Sequence, residues 1–147
     1  VCEDLGAERA INYRDEDFEE AIKAATNKGG VDVILDMVGG DYVAKNIRLL
    51  APEGRLVFIA FLKGSKAEVD FNRVLRHRLK IMGSTLRPQS VAAKGKIAGH
   101  LKQTVWPLLD SGAVQPIIDS RFPLSDAAGA HALMESSAHM GKILLTT

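Results

Sequence analysis

Four short segments of this 147-residue chain combine small or backbone-exposing residues with a polar or aromatic side chain: Tyr13-Arg14, Val38-Gly39-Gly40, Ala60-Phe61-Leu62 and Thr85-Leu86-Arg87. That combination suits a flat dinucleotide, gripped mostly by main-chain groups with a few side chains setting its orientation. Covalent or acid–base chemistry finds less support. Asp36 sits inside an apolar run, where a carboxylate is expected to bond neighbouring backbone instead of acting as a base. His100, His131 and His139 lack the carboxylate or cysteine spacing of a metal site, and no residue is assigned a catalytic role. The cluster Arg73, Arg76, His77, Arg78 and Lys80 reads as a solvated helix face, since no aromatic platform interleaves with it as nucleic-acid binding would require.

The elements that must position these segments alternate between helix and strand with little linker, which is the pattern of an α/β fold. Leu5-Gly6-Ala7 reads as the close of an opening helix with Gly6 at its C-cap, followed by a short strand over residues 9–13. Asp17 and Glu20 form a capping-box pattern for a helix carrying Phe18, Ile22 and Ala25 on one face. Residues 31–38 form a nearly continuous apolar run, as expected of a strand covered on both sides in a parallel sheet.

Asp41 is placed to cap a helix carrying Val43, Ile47 and Leu50, ended by Pro52 and Gly54; a strand is then predicted over residues 55–60. A short helix over 70–78 and a strand over 79–85 complete a βαβαβαβ order. The spacing of Ile97, Leu101, Val105 and Leu108 predicts a long helix over 91–111, which Pro107 should kink or divide. Beyond it an extended segment over 117–122, a helix over 125–137 and a strand over 142–146 are expected. The four early strands are assigned to one parallel sheet, with ligand at their carboxyl ends.

Composition narrows the classes further. The chain is 46% hydrophobic and 25% charged, with a net charge of +1, so no overall field draws it to nucleic acid or to an anionic membrane. No apolar run is long enough to span a bilayer, and a cytoplasmic setting is expected. Cys2 is the only cysteine, which excludes an internal disulfide.

The segments LGAERAINYRDEDF, VDVILDMVGGDYV, LLAPEGRLVFIAF, IMGSTLRPQS and HMGKILLTT, in this order, resemble the medium-chain dehydrogenase/reductase superfamily, and within it the zinc-independent NADPH:quinone oxidoreductase branch. The resemblance implies NADP as cofactor, a quinone or enone as hydride acceptor, and a homodimer paired through the sheet edge at residues 79–85. It divides the chain into part of a dinucleotide-binding domain (1–86) and a dimer-side helix with a return to the catalytic domain (87–147). It places Tyr13 and Arg14 near the adenosine 2′-phosphate, with a strand-end tyrosine and a solvated arginine as the equal alternative. Val38 and Gly39 fall at the loop beneath a cofactor ribose. Ala60, Phe61, Leu62 and Leu86 correspond to positions that pack on the nicotinamide, or else are ordinary core and hinge residues. Lys142 matches a position where a basic side chain approaches the cofactor, against the alternative of a solvated lysine.

The first two strands and the Gly-rich turn of that fold are not in the chain, so an incomplete sheet is expected, with open edges and an uncovered apolar face that would favour pairing with another chain. Two alternatives remain. One is an S-adenosylmethionine methyltransferase, which LLAPEGRLVFIAF also resembles and which a parallel or antiparallel last strand would decide. The other is a non-catalytic dimerisation fragment.

Overall fold

The computed structural model describes residues 1–147 and divides into two compact units, Val1–Pro88 and Gln89–Thr147. In the first unit the chain opens with a single turn. The Ala7 N–H reaches the Cys2 carbonyl and the Gly6 N–H the Glu3 carbonyl, with Gly6 at φ +101, a Schellman close at the residue expected to cap; the helix expected before it is only this turn. Helix α1 follows (Phe18–Ala25). Asp17 Oδ1 accepts the N–H groups of Glu19 and Glu20 at 2.8 and 3.3 Å, but the Glu20 side chain turns to Lys23, so only half of the capping box forms.

Strand β1 (Val31–Asp36), helix α2 (Tyr42–Leu49), strand β2 (Leu50–Phe58), helix α3 (Phe71–His77) and strand β3 (Lys80–Gly83) make a wholly parallel sheet of order β1-β2-β3. The parallel β3 removes the methyltransferase alternative. Leu50 opens β2 instead of closing α2, and the shift of register between Val31 and Val33 takes up the irregular stretch around Pro52 and Glu53. Asp41 makes no capping hydrogen bond. It lies 3.7 Å from the Lys63 ammonium instead, and the α2 N-terminus is anchored by Gly39 and Gly40 carbonyls.

The expected strand over 9–13 does not form, so the sheet has three strands from this region and not four. A strand exists only where a neighbour takes its backbone groups. No strand runs beside this segment, and its main chain turns to local partners: Ala10 N–H to the Glu3 carboxylate, Arg14 N–H to Asn12 Oδ1, Asp15 and Glu16 N–H to the Asn12 carbonyl.

The two faces of the sheet differ. Ile34, Leu56 and Ile81 lie in register toward α2 and α3, where Ile47, Leu50, Leu56 and Leu79 form the core with Val31, Val43, Phe58 and Val74 against it. Burying leucines such as Leu49, Leu50 and Leu56 contributes about 1.5–3 kcal/mol each. Leu35, Val57 and Met82 lie in register on the other face; with Val33 they leave it largely open to solvent.

Helix α1 docks on α2 through charge and aromatic stacking. Arg48 makes two hydrogen bonds to the Glu19 carboxylate at 2.8 and 2.7 Å, Lys45 meets Asp17 at 2.6 Å, and Phe18 stacks on Tyr42 with ring centroids 4.8 Å apart. Arg73, read from the sequence as part of a solvated face, instead closes the end of α2: its Nε and Nη2 donate to the carbonyls of Ile47 and Leu50 at 3.0 and 3.1 Å.

The second unit holds helix α4 (Val91–Thr104), capped by Ser90, and helix α5 (Trp106–Asp110), separated at Val105 because Pro107 in the first turn cannot continue α4. Strand β4 (Ile118–Pro123), helix α6 (Ala127–Ser136) and strand β5 (Lys142–Thr146) form a parallel βαβ unit. No helix is long and apolar enough to cross a membrane.

Candidate functional site

The carboxyl ends of β1 and β2 do not separate where the sheet stops. The backbone ladder continues past the last paired residues: Ile59 N–H donates to the Asp36 carbonyl at 2.9 Å, Leu62 N–H to Met37 at 3.0 Å, Lys63 N–H to Val38 at 2.8 Å, and Gly40 N–H to Gly64 at 2.9 Å. At the end of β3, the Ser84 N–H reaches the Phe58 carbonyl at 2.9 Å. Two loops are thereby held as one rigid platform at the ligand-binding end of a parallel sheet.

Asp36 is buried beneath this platform. Its Oδ1 accepts the Val38 N–H at 2.6 Å and the Gly39 N–H at 3.2 Å, while Oδ2 accepts from Asn46 Nδ2 of α2 at 3.1 Å. Asn46 is buried as well. The sequence reading of Asp36 as a backbone-bonding carboxylate matches these contacts; Asn46 was missed, because an asparagine inside a helix leaves no spacing signal that separates it from a surface residue.

Gly39 is held to glycine by the loop beside it. At φ +69 a Cβ would lie 2.5 Å from the Gly64 carbonyl oxygen and 2.7 Å from the Phe61 ring, so the space is taken by the neighbouring loop and not kept open for a ligand. The surface offered outward consists of side chains. Phe61 packs at 5.1 Å on Phe58 yet stays half exposed, Leu62 projects into solvent, and Met37 flanks them. Ala60 is half-buried between these aromatics in sequence, and Leu86 lies exposed in the bend after β3.

Within the first unit, Tyr13 and Arg14 are not brought to this platform by any contact. Tyr13 and Arg14 lie in an exposed turn, with Tyr13 63% exposed. Lys142 belongs to the second unit, where it opens β5 with its N–H on the Ile117 carbonyl at 2.8 Å and its side chain exposed. No group of three or more histidine, cysteine, aspartate or glutamate side chains is arranged to hold a metal ion.

The one strongly perturbed acid lies away from the platform. The Arg48 guanidinium, hydrogen-bonded to Glu19, together with Lys23 lowers the Glu19 carboxyl to about 2 despite its burial. Lys45 likewise holds Asp17 below the usual carboxylate range. Both serve the α1–α2 contact.

A three-stranded parallel sheet in sequential order, with its crossover helices on one face and its loops fused at the carboxyl ends, is the arrangement of one mononucleotide half of a doubly wound dinucleotide fold. The sequence comparisons agree: the family model of zinc-binding dehydrogenases matches residues 5–145, and the chain belongs to that family, within the medium-chain dehydrogenase/reductases. It is 30% identical over 152 residues to quinone oxidoreductase-like protein 2 of Bos taurus, covering 96% of this chain and 40% of that protein. It is 29% identical over 141 residues to the quinone oxidoreductase of Rattus norvegicus, covering 95% and 41%. A solved NAD-dependent alcohol dehydrogenase superposes with a TM-score of 0.77 at 26% identity over 99% of this chain and 39% of its own. The chain thus spans about 40% of the length of the relatives it matches.

Proposed function

We propose that this chain forms the nicotinamide-facing part of an NADPH-dependent oxidoreductase whose hydride acceptor is an electron-poor quinone or enone. The observation that carries the reading is the fused platform at the carboxyl ends of β1 and β2, in a chain whose relatives bear the names quinone oxidoreductase and quinone oxidoreductase-like protein. The residues present fit such a group: apolar side chains of Phe61, Leu62 and Leu86 suit a flat nicotinamide ring, and the 37–40 loop suits a ribose. Tyr13 and Arg14 supply a phenol and a guanidinium for a 2′-phosphate, which is the basis for reading NADPH over NADH. Lys142 is assigned to the same cofactor on the family resemblance.

When bound, the nicotinamide would supply a hydride, which a quinone together with one solvent proton would take up to become the hydroquinone. The chain's own contribution is orientation and exclusion of water by the Phe61 and Leu62 side chains. No side chain here is assigned the proton transfer. The outer edge of β3 has no strand beside it, and we assign it to pairing with a second copy, its most economical partner.

The test is a fluorescence titration with NADPH, followed by loss of NADPH absorbance when a benzoquinone is added. Saturable binding and quinone-dependent oxidation are expected; unchanged fluorescence at high micromolar NADPH would end this reading.

A further inference from the structure

A cleft of about 370 Å³ lies between α2 and the start of α3 and shares no residue with the platform. Ala44 and Ile47 of α2, with Val69, supply its apolar lining, and Arg48, Asp70 and Arg73 supply its charges. Arg73 is half-buried, and no carboxylate pairs with it. Its Nε and Nη2 donate to the Ile47 and Leu50 carbonyls and its Nη1 donates to His77 Nε2 at 3.3 Å, so part of the five-donor guanidinium fork is unspent. Asp70 pairs with no cation: its Oδ1 caps α3 by accepting the Asn72 N–H at 2.9 Å, and its Oδ2 accepts nothing. Arg48 is fixed on Glu19 through Nε and Nη2, which leaves its Nη1 free to donate. A cation and an anion close in sequence thus line one cleft without pairing with each other, because Arg73 is bonded to the end of α2 and Asp70 to the first turn of α3.

We propose that this cleft binds a small zwitterion of the α-amino acid type with an apolar side chain. The ligand carboxylate takes the unspent N–H groups of Arg73, with Arg48 beside it, since a guanidinium fork matches a carboxylate. The ligand ammonium meets Asp70 Oδ2, and the side chain lies on Ala44, Ile47 and Val69. Charge selects against simpler ligands: a plain oxyanion faces the Asp70 carboxylate, and a plain amine faces two guanidinium groups. Both arginines are already held by their other N–H groups, so binding costs little side-chain freedom. The volume suits a small molecule. The site stands apart from the dinucleotide reading and does not depend on it.

The test titrates the whole chain with L-leucine and follows backbone amide chemical shifts. Saturable shifts at Ala44, Val69 and Arg73 are expected, with a Kd on the order of 1 mM. 4-Methylpentanoate, which lacks the ammonium, and L-leucinamide, which lacks the carboxylate, should each bind about tenfold more weakly, the effect of losing one charge-assisted hydrogen bond. Asp70→Asn keeps the Oδ1 cap of α3 and removes the charge; it should weaken L-leucine about tenfold and leave 4-methylpentanoate within about twofold. Absence of saturable shifts by about 50 mM L-leucine would overturn the proposal. So would 4-methylpentanoate or inorganic phosphate binding as tightly as L-leucine, which would make the cleft a general oxyanion site. Equal loss of both ligands in Asp70→Asn would show Asp70 acting on the fold alone and would also overturn it. Should that variant fail to fold, the comparison of L-leucine with 4-methylpentanoate and L-leucinamide decides the point on the unaltered protein.

Discussion

Two segments of the first unit assigned to the same ligand, residues 37–40 and residues 12–15, are built in opposite ways. The first is bonded on every side: to Asp36 below, to 62–64 alongside and to the start of α2. The second is an exposed turn held by its own neighbours, with Asn12 accepting from Arg14, Asp15 and Glu16. The difference follows from what lies beside each. A loop between two paired strands inherits their register and can be made rigid; a segment with no strand beside it satisfies its backbone locally and keeps its side chains in water. Binding energy that needs fixed geometry belongs to the first, while an exposed charge such as Arg14 can contribute to the second without it.

The largest effect is expected where the two loops interlock. Gly39→Ala sets a Cβ against the Gly64 carbonyl and the Phe61 ring at a left-handed φ, and should cost about 3 kcal/mol in urea unfolding. A loss below about 1 kcal/mol would show that the platform yields easily and would erase the contrast between the segments.

An intermediate effect should come from Glu19, which holds α1 to α2 between them. Its carboxyl lies at about 2 in the folded chain against 4.5 for a free glutamate, so its contribution to stability is complete above about pH 5 and is lost as the pH falls toward 2. Glu19→Gln should destabilise by roughly 1 kcal/mol at neutral pH, a modest value because Arg48 is half exposed, and should flatten the decline in stability between those pH values. A variant with the parent's acid limb would show that the pair contributes nothing.

The smallest effect is expected at the exposed turn. Arg14→Ala should leave stability within about 0.5 kcal/mol. It should weaken NADPH by roughly threefold, as an exposed ion pair would, and leave NADH unchanged. Equal affinities for NADPH and NADH in the parent would remove the 2′-phosphate assignment and leave Tyr13 and Arg14 as solvated residues.

The parallel α/β order was legible in the sequence because its signals are local: the apolar run beginning at Val31, the Asp17 cap and Pro107 each act within a turn or two of chain. Residues 9–13 show where local signals stop. Their composition suits a strand, but a strand also needs a neighbour, and none is present. Asp41 is well placed by type, yet its backbone is already helical at φ −63 and ψ −19 and its side chain makes no capping bond.

For the site, the sequence by itself determined the ends of three strands to within two residues of where β1, β2 and β3 stop, and so brought forward Val38, Gly39, Ala60, Phe61 and Leu86, because strand ends follow from hydrophobic pattern and glycine breaks; Tyr13 and Arg14 were named at the end of a strand that does not form. Only the tertiary structure decided what those residues do to one another. The fusion of the 37–40 and 61–64 loops, the buried Asp36–Asn46 pair and the crowding that requires Gly39 all join residues far apart in sequence. Backbone hydrogen bonds and close packing between such residues depend on the register of β1 against β2, which is settled only when the buried faces of both strands meet the same core.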